Sequence, residues 1–216
     1  MTLTLPDFPS FAVCYDEANL PWFQMGVEEA LRKINSVDLG RQLLQLIADA
    51  TPQHKSGQDG KAFPAGVHVM IVPRENRRFI QKGFKPSWQP ADRLFQTGIQ
   101  ATREDHFNLP GHDFTYVGKG SCNEGGGVMQ ASDGRGTVCK VLFDSAQMMT
   151  RDGVHATPFL VLAHELIHSY HCLYGIKKET REEEERWATG IGEFEEEPMS
   201  ENAFRGVFDM AERDRY

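Results

Sequence analysis

The stretch Thr157-Pro158-Phe159-Leu160-Val161-Leu162-Ala163-His164-Glu165-Leu166-Ile167-His168-Ser169-Tyr170-His171-Cys172-Leu173-Tyr174-Gly175 decides how this chain is read. Thr157 followed by Pro158 has the form of a helix start, and Gly175 that of a stop. Between them Phe159, Leu160, Leu162, Ala163, Leu166, Ile167, Tyr170 and Leu173 make an apolar surface wide enough for a largely buried helix. On that helix His164 and His168 stand one turn apart with Glu165 between them. Residues four apart share a face, about 5–6 Å between Cβ atoms, which suits two imidazoles converging on one cation. Zinc takes imidazole nitrogen at about 2.0–2.1 Å and, in catalytic sites, keeps a position open for water. Glu165 would then stand beside that water as a base. The plain structural alternative is two core histidines with local hydrogen bonds. A buried helix that offers two imidazoles and a carboxylate from one side needs something to satisfy them, which favours the metal.

Three protein ligands plus water is the catalytic arrangement, so one more donor is required. His171 lies about 10 Å along the axis from His164, too far for both to reach one ion, and is expected behind the ligands or in packing. The better source is the acidic run Glu179-Thr180-Arg181-Glu182-Glu183-Glu184-Glu185, whose composition is that of a helix start. If this second helix runs antiparallel after a turn at Ile176-Lys177-Lys178, equal rise brings Glu185 level with His168. Glu182 falls about 4.5 Å short of that level. Glu184 could hydrogen-bond a ligating imidazole from behind, and the other carboxylates form a solvated face.

The segment from His164 to Ile176 resembles the zinc helix of clostridial neurotoxin light chains, and Glu184-Glu185-Arg186-Trp187-Ala188-Thr189-Gly190 is similar to their downstream Glu-Glu-x-x-Thr-x-Gly segment. Ala188 departs from the usual Thr. The short spacing and small size resemble more closely the NleD-like zinc metallopeptidases, effectors that bacteria inject by type III secretion; the likeness covers residues 140–190 best. The resemblance implies Zn2+ as cofactor, with His164, His168 and Glu185 as ligands and Glu165 as general base. It also implies an Arg-x-x-Tyr pair that stabilises the transition state. Arg213 and Tyr216 fit that spacing, a frayed terminus being the alternative. The expected fold is a compact, single-domain α+β metallopeptidase of the zincin-like, gluzincin type. It has a small mixed sheet, a buried zinc helix and an antiparallel ligand helix. The expected substrate is a host protein such as a signalling kinase of the MAP kinase type, met in the host cytoplasm after secretion.

The rest of the chain sets bounds. Its 216 residues, 40% of them apolar and 25% charged, suit one domain over 1–216, in which residues 1–20 could serve as a flexible export segment. A net charge of −8 argues against nucleic acid and is compatible with a basic peptide. No apolar run is long enough for a membrane span, and the N-terminus lacks a general secretory signal. Cys14, Cys122, Cys139 and Cys172 are scattered without C-x-x-C spacing and read as reduced thiols. Gly118–Gly127 lacks the order of a phosphate loop and reads as a flexible loop that could act as a lid. Helices are expected over 26–35, 39–50 and 199–216, and strands over 67–72, 114–117 and 137–143. Residues 74–110 read mostly as loop. By resemblance, 137–143 is the candidate edge strand for binding an extended substrate, an ordinary sheet strand being the alternative. Two other functions remain open: a zinc hydrolase with a non-protein substrate, and a binding module with a structural metal.

Overall fold

The computed structural model describes residues 2–14, 20–57, 62–73, 121–124, 129–143, 148–149 and 155–215. Strands β1 (Thr2–Leu5), β2 (Phe8–Cys14), β3 (Val69–Pro73), β4 (Ser121–Glu124) and β5 (Cys139–Phe143) form one sheet in the order β1-β2-β3-β5-β4. The inner strands β2, β3 and β5 run parallel, while β1 and β4 join antiparallel at the two edges. Period-two patterning aims the sheet: Cys139, Val141 and Phe143 of β5 are buried, while Lys140 and Leu142 between them are half-buried. Two short strands, β6 (Met148–Met149) and β7 (His155–Ala156), pair separately. The helices are α1 (Leu20–Asn35), α2 (Asp38–Asp49), α3 (Pro158–Tyr174), α4 (Arg181–Thr189) and α5 (Glu201–Val207). The fold class is α+β with a small mixed sheet, as the sequence implies.

Among the described residues helix α3 is central, packed against α1, α2, α4 and α5 and against β4 and β5. Leu160, Leu162, Ala163, Leu166, Ile167 and Leu173 are each exposed by 2% or less. Each larger side chain among them contributes about 1.5–3 kcal/mol by burial, enough together to hold polar residues inside the same helix. The helix ends where Gly175 takes φ 68°; a Cβ there would come within 2.7 Å of the Gly134 backbone, so only glycine fits the turn. Thr157 occupies the expected cap position, but its hydroxyl makes no hydrogen bond; its carbonyl accepts from Leu160 and Val161 instead.

Several expectations change. The stretch 137–143 does not form an edge: β5 is hydrogen-bonded to β3 on one side and β4 on the other, leaving no free backbone for an added strand. Among the described residues the edge belongs to β4, so Ser121–Glu124 within the expected glycine-rich loop is strand. The terminal helix spans only Glu201–Val207, because Asp209 takes φ 53° and the Asn202 amide ties the backbone of Arg213 back onto the helix. Residues 2–5 and 8–14, within the expected export segment, are strands of the sheet, and Leu5, Ala12 and Val13 have no exposed surface. Helix α1 starts at Leu20, six residues earlier than the periodicity suggests. The expected loop 74–110, the strand candidate Phe114–Val117 and most of the remaining glycine-rich stretch lie outside the described residues. Among the described residues, no helix is long and apolar enough to cross a membrane.

Candidate metal centre

Helix α3 presents His164 and His168, and α4 returns Glu185 to meet them. The connection is Gly175–Thr180, longer than the three-residue turn assumed in counting along the sequence. Thr180 starts α4 by accepting the Glu183 N–H on its side-chain oxygen at 3.2 Å. Nε2 of His164 lies 3.1 Å from Nε2 of His168 and 3.3 Å from Glu185 Oε2; His168 Nε2 to Glu185 Oε2 is 3.5 Å. Ligand atoms about 2.0–2.1 Å from a tetrahedral zinc are separated by about 3.3 Å, so the triangle already has the dimensions of a coordination face. The side chains of His164 and Glu185 keep 12% and 20% of their exposure, and the triangle opens to solvent on that side.

Carboxylates behind the rings set the direction of the lone pairs. His168 Nδ1 is 2.7 Å from Glu184 Oε1, a contact that places the ring proton on Nδ1 and leaves Nε2 as a lone pair. His164 Nδ1 is 3.0 Å from Glu201 Oε2, close enough to attract although outside hydrogen-bond angles. With both rings so held, two nitrogen lone pairs and a carboxylate oxygen face one another. They repel unless a cation or a proton lies between them. Burial opposes charge on His164, yet Glu185 and Glu201 outweigh it and lift its pKa to about 9. His168 is raised well above the usual range against the same burial, by Glu184 and Glu185. Burial likewise works against Glu185, and the two imidazoles hold it far below the usual carboxylate range.

Glu165 is 6% exposed, and burial pushes its carboxyl up to about 7, with His164 and His168 pulling the other way. Glu184 serves two rings, since His171 Nδ1 also lies 2.7 Å from Oε1, while its Oε2 accepts the Lys178 N–H at 2.9 Å. His171 stacks on Trp187 with ring centres 3.7 Å apart, and burial lowers its pKa. It therefore stands behind the triangle and not in it.

The sequence reading missed Glu201. From α5 it holds Arg205 through Oε1 at 2.7 Å, and through Oε2 it meets both Arg213 at 2.8 Å and His164. Burial opposes its charge, but His164, Arg213 and Arg205 hold its pKa at about 2. The only signal in the sequence is the i, i+4 pair Glu201/Arg205, which looks like any exposed helix pair until the helix is known to be buried. Arg213 thus sits behind His164, joined to it through Glu201. Tyr216 lies outside the described residues.

No curated protein matches the chain. Among solved structures it is similar to the light chain of botulinum neurotoxin type G, with a TM-score of 0.45 and 15% identity over 84% of this chain and 50% of that one. The chain thus spans about half the length of that neighbour. A family model, described as effector protein, matches residues 14–216. The chain belongs to the Peptidase_M91 family of effector proteins, the NleD-like family that its motif segment resembles.

Proposed function

We propose that the chain is a single-domain zinc-dependent endopeptidase, of the gluzincin type, that acts as an injected bacterial effector on a protein of the host cytoplasm. The observation that carries the reading is the triangle of His164, His168 and Glu185, with edges of 3.1, 3.3 and 3.5 Å and carboxylates behind both rings. Its donor set, two imidazoles and a carboxylate with one open side, suits zinc. A zinc ion bound there supplies Lewis acidity to the scissile carbonyl and to water. Glu165 takes the proton of the attacking water and passes it to the leaving amine; its raised pKa suits a group that must both accept and release a proton near neutrality. Glu184 and Glu201 keep the imidazoles oriented, with their Nε2 atoms inward. Tyr216 is the candidate for stabilising the developing oxyanion, while Arg213, held by Glu201 behind His164, helps fix that imidazole. By family resemblance the target is a signalling kinase of the MAP kinase type.

The test compares wild type with Glu165→Ala in host-cell lysate, reading new protein N-termini by proteomics and bound metal by elemental analysis. Zinc is retained in the variant and cleavage falls by about 10²–10⁴-fold. Undiminished cleavage removes Glu165 from its role. Wild type that binds zinc yet yields no new N-termini points to a non-protein substrate.

A further inference from the structure

Cys122 on β4, Cys139 on β5 and Cys172 on α3 are scattered in sequence, yet their three sulfur atoms all lie within 4.8 Å of one another. The sheet explains two of them. Cys122 pairs opposite Val141 and Cys139 sits two residues before Val141, so both thiols project from the same face as diagonal neighbours. That face is covered by α3, whose last turn brings Cys172 down from above. Cys139 and Cys172 are 0% and 2% exposed, whereas Cys122 is half-buried and leaves the cluster a way in.

We propose that these three cysteines bind a second cation, a thiophilic d10 ion of the zinc class, as a clamp between the sheet edge and the motif helix. Three sulfurs about 2.3 Å from a zinc ion stand about 3.8 Å apart, so the cluster needs to tighten by no more than about 1 Å. A hydroxyl stands beside Cys122. Ser169 Oγ is 3.4 Å from Cys122 Sγ, and its single proton is already donated to the Glu165 carbonyl at 2.9 Å. Its oxygen has a lone pair to spare for a cation seated beside Cys122. Hydrogen bonds from the Cys139 and Cys172 thiols favour the thiolate form of Cys122, the form that binds metal. Those two thiols are themselves pushed up, Cys139 by burial and Cys172 by its hydrogen bond to Cys122, and give up their protons only when the ion binds. Binding displaces the remaining thiol protons to solvent. A disulfide fits less well. It uses two sulfurs and leaves one over, and the diagonal pair Cys122/Cys139 has a typical Cα separation of about 7–8 Å, beyond the usual disulfide range of about 4.4–6.8 Å. The clamp lies one turn past His168 and does not depend on the triangle's taking a metal.

The experiment uses the full chain carrying His164→Ala and His168→Ala, reduced and titrated with Cd2+ under exclusion of oxygen. The expected reading is thiolate-to-metal charge transfer in the ultraviolet that saturates at one equivalent, is displaced by Zn2+, and survives Cys14→Ser. Adding Cys122→Ser, a half-buried position whose change the fold tolerates best, abolishes it, and Cys139→Ser is expected to do the same. No saturable charge transfer in the reduced protein overturns the proposal. So does a signal indifferent to Cys122→Ser, or an internal disulfide in protein isolated without reductant. Because the triangle's imidazoles are absent throughout, failure here leaves the peptidase reading untouched.

Discussion

Glu165 on α3 and Glu184 on α4 are both buried, yet their surroundings drive them in opposite directions. Glu165 is pushed up to about 7, while Glu184, facing the Nδ1 atoms of His168 and His171, is held well below the usual range in spite of its burial. One carboxyl is left able to trade protons, and the other is a fixed negative charge. Glu184→Gln should therefore keep the chain folded but weaken zinc binding by about 10–100-fold, measured by chelator competition, because the amide no longer draws the His168 proton onto Nδ1. An unchanged affinity would detach Glu184 from the metal site. Glu201→Gln is a different case: it leaves Arg205, with a fully buried side chain, and Arg213 facing a neutral amide. Removing one member of such a network costs about 3–5 kcal/mol, which equilibrium urea unfolding would register as a lower midpoint. A variant as stable as wild type would show that other partners carry those two cations.

At the scale of elements, what matters is how α4 and α5 are aimed at α3. Gly190 ends α4 at φ 79°, and a Cβ there would meet Ser200 Oγ at 2.4 Å, the very oxygen that caps α5 by accepting the Ala203 N–H. Gly192 also has a positive φ, 63°, but nothing lies within 4 Å of its would-be Cβ. Gly192→Ala should cost about 1–2 kcal/mol from backbone conformation alone. Gly190→Ala should cost more and also reduce zinc affinity, since it displaces the helix that carries Glu201. Equal losses for the two in urea unfolding would rule out the steric argument.

The same elements mark where the sequence was legible. The motif helix could be read end to end because its apolar residues, Pro158 and Gly175 agree; equal rise along two helices pointed to Glu185, although the connection is longer than that count assumed. Tertiary pairing could not be read: β-rich composition marked 137–143 as a strand but carried no sign that β3 and β4 would flank it. Nor could the sequence distinguish Glu201 from the solvated glutamates before it, since burial of α5 is decided by α3.

Across the whole molecule, the triangle closes α4 onto α3 beyond the loop Gly175–Thr180 that connects them, so metal, fold and proton count are coupled. In the metal-free state His164 keeps its proton up to about 9, and the bound metal requires it neutral. Zinc binding at pH 7 should thus release protons, and affinity should climb as pH rises towards 9 and fall on acidification. Calorimetry in buffers of differing ionisation enthalpy reads this directly; binding without proton release would contradict the charge assigned to His164. Stripping the metal with a chelator should lower the Tm, and restoring zinc should recover it.

The backbone at Arg213 exchanges hydrogen bonds with Asn202, whose amide also grips the Gly190 carbonyl, while the Arg213 guanidinium rests on Glu201. A nick anywhere between Val207 and Arg213 would cut that strap without touching a ligand. Glu201, stripped of one counter-charge, would then pull harder on His164, so damage some distance along the polypeptide would be felt as altered basicity at one corner of the triangle.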